Sequence, residues 1–155
     1  MEQKSSIGLP IVAALIAAII GGVVWALIAI TTEYEIGIVA WAIGGVTAYG
    51  VAWFTQKITP VHQIVAVLAS LIGVLLGKYF TFSYFVNLGY SGMFESVTFS
   101  AFTENFTLMF GAMDIVFVLL AVVTAWQLPV KLAANKANKA AQADQGMNQG
   151  NTPGQ

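Results

Sequence analysis

The chain has 155 residues, a formal net charge of −1, and 8% charged against 58% hydrophobic residues. A soluble domain carries about a quarter charged residues to keep its surface wet, so this composition excludes a water-facing globule. The near-neutral balance also excludes the concentrated basic face that nucleic acid requires, and the absence of cysteine removes disulfides, thiolate chemistry and cysteine metal sites.

Four apolar spans organise residues 1–130, at 7–30, 36–54, 61–80 and 108–128, and a tail of residues 131–155 follows. A helix needs roughly 20 apolar residues, within about 17–25, to cross the hydrocarbon core. The expected fold class is therefore an all-α integral membrane protein, a four-transmembrane-helix bundle. The first span is too long for the apolar region of a cleaved signal, about 7–15 residues, and it runs into "TTEYE" rather than a small-residue cleavage site.

Between the first and second spans stand Glu33 and Glu35, in "ITTEYEIGIVAW". Thr32-x-x-Glu35 has the spacing of a capping box, in which the hydroxyl accepts from the Glu35 N–H and the carboxylate reaches back to the Thr32 N–H. Glu35 would also sit at the positive end of the second helix dipole. A catalytic pair is the weaker reading, because helical residues two apart diverge by about 200°. No second histidine or acidic motif stands at ligand spacing to complete a metal site. The second span itself carries Trp41, Tyr49 and Trp53 on one stripe, as interfacial anchors do.

The third span opens after Pro60, with His62, the single histidine, read as an interfacial polar residue. It ends near Lys78. Residues 79–107 then hold ten aromatic residues, from Tyr79 to Phe106. Phe94, Val97 and Ala101, with Phe102 beside them, share one helical face while Glu95 and Glu104 face water, which predicts a short helix in the membrane interface between helices 3 and 4. "NLGYSG", residues 87–92, is the turn before it. A lid over a site between the helices is the rival reading of this segment.

The fourth span contains Asp114. An ionisable group inside a membrane segment is expensive and by default marks a site. Counting from Pro60 and Pro129 at 1.5 Å per residue puts Lys78 about 27 Å and Asp114 about 22 Å from the same face. That offset of about 5 Å is within reach of a lysine stem. Two readings stay open: a Lys78–Asp114 ion pair joining helix 3 to helix 4, or a proton or cation site. Beyond Leu128, "KLAANKANKAAQAD" can extend the last helix, whereas the final ten or so residues have nothing to bury and are expected to be disordered.

Lys4, Lys57, Lys131, Lys136 and Lys139 fall on one side of the spans and Lys78 alone on the other. This positive-inside asymmetry places both termini in the cytoplasm of a cell whose inner (plasma) membrane holds the chain. Small residues recur every four positions: Ala14, Ala18, Gly22 and Ala26 in the first span, Ala40, Gly44, Ala48 and Ala52 in the second, and Ala69, Gly73 and Gly77 in the third. In lipid, such ridges permit the close backbone approach that holds helices together. They serve either the chain's own bundle or a second copy or partner.

The runs "GVVWALIAITTEYEIGIVAWAIGG", "LIGVLLGKYFTFSYF" and "DIVFVLLAVVTAWQL" resemble those of a family of small bacterial multi-pass membrane proteins with a "GYEIG"-type turn, an "LGKY" run and a last helix opening with Asp. The resemblance covers most of residues 18–128, with "TEYEIG" in place of "GYEIG". It implies the architecture and no reaction. Some relatives carry an N-terminal zinc-ribbon-like module, for which this chain has no cysteines. The residues alone show no nucleophile–base pair, phosphate loop or metal cluster, and predict no cofactor. They leave two expectations: a non-enzymatic structural or accessory subunit acting through helix–helix contacts in the bilayer, as a homo-oligomer or with a membrane protein partner, and a small oligomeric cation or proton channel or transporter using Asp114.

Overall fold

The structure, a computed structural model, describes residues 7–55 and 57–149. Among them, all regular secondary structure is helical: α1 (Gly8–Thr32), α2 (Ile38–Trp53), α3 (Pro60–Asn87), α4 (Ser96–Glu104), a 3-10 turn (Phe106–Met109) and α5 (Ala112–Gln149). Three of these helices, α1, α3 and α5, are long and apolar enough to cross a membrane. The helix of the second span, α2, has only 16 residues, about 24 Å at 1.5 Å per residue, against a hydrocarbon core of about 30 Å.

Helix α1 packs on α2 and α3, α5 also packs on α2 and α3, and α2 touches α3. The pair α2–α3 therefore forms the middle of the bundle, with α1 and α5 on opposite flanks. One core cluster joins Ala14 and Ala18 of α1 to Val51, Ala66, Ala69 and Ala125. A second, nearer the other end, joins Trp25 and Ala29 to Ala40, Ile43 and Val74.

Alanine and glycine dominate these contacts because backbones meet there. A Cβ on Gly22 would lie 2.8 Å from the Gly73 carbonyl oxygen, and one on Gly73 would lie 2.9 Å from the Ala18 oxygen. Gly77 backs onto the Trp25 side chain at 3.1 Å, and a Cβ on Gly44 would come within 2.5 Å of the Ala121 oxygen. Gly22, Gly73 and Gly77 thus lie at the α1–α3 contact and Gly44 at the α2–α5 contact. All four are spent inside this chain.

Several boundaries differ from those expected. Helix α3 runs to Asn87 rather than to 80, and its end is set by Leu88 in the left-handed region (φ 53°) followed by Gly89. Two side chains tie the turn down: Asn87 donates to the Ser83 carbonyl and the Thr98 hydroxyl, and Thr98 donates to the Gly92 carbonyl. The fourth span does not begin as a helix at 108, because residues 106–109 form the 3-10 turn and α5 starts only at Ala112. At its other end α5 passes through Pro129 and continues to Gln149. Residues 146–149, expected to lack structure, continue that helix, and the rest of the expected disorder lies outside the described residues.

His62, read from the sequence as an interfacial polar residue, is buried against its neighbours in the chain. It sits at the third position of α3, where its Nδ1 accepts from the Thr59 N–H at 3.2 Å and lies 2.7 Å from the Thr59 hydroxyl. Thr59 followed by Pro60 is the sequence signature of a helix start. Histidine here takes the place that Glu or Gln holds in the usual capping box.

Candidate functional site

Three charged residues, Glu35, Lys78 and Asp114, converge at one end of the bundle. Lys78, in the last third of α3, is completely buried. Its ammonium is ion-paired with Glu35 and lies 3.1 Å from Asp114 Oδ2. It also donates to the Met109 carbonyl at 2.9 Å. One carboxylate and one carbonyl accept from the ammonium and a second carboxylate stands at ion-pair distance, each from a different segment: the α1–α2 linker, the 3-10 turn and the first turn of α5.

The two carboxylates are held differently. Asp114 is 18% exposed and occupies the third position of α5, where Oδ2 also accepts the Gly111 N–H at 2.9 Å. A carboxylate there satisfies one of the orphan donors of the helix start and faces the positive end of its dipole. Asp114 therefore stands in the first turn of α5 rather than in the helix interior. Glu35 is 34% exposed and reaches across from the linker.

Glu35 does not close a capping box with Thr32. Thr32 is the last residue of α1, and its hydroxyl donates back to the Ile28 carbonyl at 2.7 Å. Tyr34 N–H donates to that same hydroxyl at 3.3 Å. The position before α2 is Gly37, with no side-chain cap. The chain turns instead on Glu33, which adopts the left-handed conformation (φ 57°). The sequence expectation failed because a threonine at a helix end can bond backwards to the carbonyl four residues before it as readily as forwards. Glu35, released from the cap, pairs with the lysine.

Aromatic rings close the cluster. Lys78 Nζ lies 5.3 Å from the Phe110 ring centroid and 6.0 Å from that of Trp25. Phe110 continues through Phe106 (5.0 Å) and Phe102 (5.9 Å) to Tyr79 (5.2 Å), whose hydroxyl donates to the Met93 carbonyl at 2.5 Å. This stack joins α4 to α3 over the cluster and shields the ammonium, so that its electrostatic partners act at a lower effective dielectric than at an open surface.

Sequence reading placed Lys78 near Asp114 on depth alone, and the structure brings the two together. It missed Glu35 as a third member. The signal was available: Glu35 stands in the linker at the same end of the bundle, where two acids otherwise balance no cation. Among the described residues there is no group of three His, Cys, Asp or Glu side chains able to hold a metal ion. Comparison with protein family models, curated proteins and solved structures finds no match to this chain.

Proposed function

We propose that this chain is a non-enzymatic membrane protein of four transmembrane helices, a structural or accessory subunit that works through helix contacts. Its setting would be a bacterial inner membrane, with both termini in the cytoplasm. The observation that carries the reading is the Glu35–Lys78–Asp114 cluster, whose buried ammonium is ion-paired with both carboxylates and donates to the Met109 carbonyl. Charge is used here to fasten three segments rather than held free for a substrate. Away from the cluster the interfaces are closed by backbone contact at Gly22, Gly73 and Gly44, while α1 and α5 present branched apolar side chains outward, among them Ile16, Ile20, Val116 and Leu119.

Four spans are supported by the packing of α2 against α1, α3 and α5. A helix packed along three span-length neighbours would share their depth, and Ile36 and Phe54 extend its apolar length at both ends. The resemblance of residues 18–128 to small bacterial multi-pass proteins accords with this architecture.

Purification in a mild detergent tests the function. A subunit is recovered as a homo-oligomer or with a second membrane protein, and recovery only as a solitary monomer would overturn the reading. The cation channel or transporter using Asp114 remains the alternative. It predicts cation flux in proteoliposomes that Asp114→Asn abolishes, a result that would displace the subunit reading.

A further inference from the structure

A groove of about 720 Å³ lies between α3 and α4, at the same end of the bundle as the ion cluster. Leu75 and Tyr79 of α3 form one wall, and Phe99, Phe102 and Phe106 the other. It is larger than the groove between α1 and α2, about 460 Å³, or that between α3 and α5, about 270 Å³. It differs from both in chemistry as well as size. Their walls contain no charged residue, whereas this one includes Glu95 with Ser96 and Thr103 beside it.

Glu95 precedes α4 without capping it, since its side chain makes no hydrogen bond to the helix start, and it has no ion-pair partner among the described residues. Among the described residues the lysine at this end is Lys78, already committed to Glu35 and Asp114. Glu95 therefore gives the groove one carboxylate that no cation answers among the described residues. The flanking residues are strongly apolar yet open: Phe94 is 88% exposed and Phe99 59%. Such side chains suit the headgroup boundary of a bilayer rather than water.

An apolar trough with a single carboxylate at its mouth matches an amphiphile with an apolar tail and a cationic end. We infer that the α3–α4 groove seats an acyl chain of a membrane phospholipid whose headgroup bears a primary ammonium, with Glu95 as the partner of that ammonium. The tail contributes no selectivity, since acyl chains are as apolar outside the groove as within it. Discrimination therefore rests on the headgroup, attracted when ammonium-bearing and repelled when anionic. An exposed ion pair is worth up to about 1 kcal/mol, or about fivefold in affinity.

Native mass spectrometry of the full-length protein in mild detergent, titrated with phosphatidylethanolamine or phosphatidylglycerol of identical acyl chains, reads this directly. Phosphatidylethanolamine adducts should exceed phosphatidylglycerol adducts by about fivefold. Glu95→Gln should abolish that preference while leaving total lipid binding in place. Thr103→Trp, at an exposed position on the groove, should lower adducts of both lipids. Equal binding of the two lipids by the native protein overturns the inference, as does a preference that survives Glu95→Gln. If Thr103→Trp instead dissociates a dimer without loss of lipid, the groove is a contact between copies and the lipid assignment falls.

Discussion

Lys78 illustrates how one buried cation can be made tolerable in a chain almost without charge. Its ammonium has two carboxylates and one carbonyl for company, so removing the lysine strands two acids, whereas removing one acid leaves the lysine with two acceptors. Breaking a buried pair from one side costs about 3–5 kcal/mol. Lys78→Met should therefore lower the melting temperature in detergent most, Asp114→Asn less, and Glu35→Gln least, because Glu35 is the most exposed of the three. The double variant Lys78→Met, Asp114→Leu should recover only part of the loss, since Glu35 stays uncompensated. A two-member pair, the arrangement expected from depth counting, would recover nearly all of it, and equal losses for Lys78→Met and Asp114→Asn would contradict the three-acceptor arrangement. The partnership of Lys78 and Asp114 was legible because both stand in regular helices whose rise converts sequence position into height. Glu35 was not legible, because it stands in a linker, where no such rule applies. Its competing local role as a helix cap was equally well formed in the sequence.

At the level of helices, close approach is the organising fact. Gly44 and Gly45 are neighbours in α2 with opposite surroundings: a Cβ at 44 collides with the Ala121 backbone, and one at 45 meets nothing within 4 Å. Gly44→Leu should therefore separate α2 from α5 and markedly destabilise the protein in detergent, while Gly45→Leu should be tolerated or slightly favourable, since leucine is the better helix former. Thermal unfolding followed by circular dichroism compares the two, and similar losses would show that packing at 44 is loose. The four-residue ridges were visible in the sequence because their period is that of the helix. Whether they faced inward was not visible, since inward and outward contacts use the same residues. Helix ends were the least legible. The run from 108 to 128 is apolar but for Asp114, Thr124 and Gln127, yet Gly111 and the Asp114 carboxylate together start the helix only at Ala112. Pro129, which looks like a stop, lies inside it. Proline is tolerated in membrane helices, and one turn before it Gln63 of α3 donates to the Trp126 carbonyl at 2.7 Å, holding α3 to α5 there.

Across the whole molecule, the two ends differ in kind. One end holds Glu33, Glu35, Glu95, Glu104 and Asp114, with Lys78 buried among them, and the other holds Lys57, Lys131, Lys136 and Lys139. Cysteine labelling reads their sides of the membrane against a background free of native thiols. In intact cells, Ser91→Cys should react with an impermeant maleimide and Gln145→Cys should react only after lysis. The reverse pattern would invert the orientation. Helix α5 spans about 57 Å at 1.5 Å per residue, nearly twice the hydrocarbon thickness of about 30 Å, so its second half projects on the lysine side. Lys136 fastens the base of that projection. Its amine donates to the Ala52 carbonyl at the end of α2, at 2.9 Å, and lies 5.6 Å from the Trp53 ring.

The order of the three charged partners along the chain bears on how the protein is made. Glu35 precedes Lys78 by 43 residues and Asp114 follows it. When the ribosome delivers the helix carrying Lys78 to the insertion machinery, an acidic partner from the first hairpin is already in place, and the second is still unsynthesised. The nascent lysine can thus be neutralised as it arrives. Asp114, made last, adds a second carboxylate to a pair whose first two members the chain has already supplied.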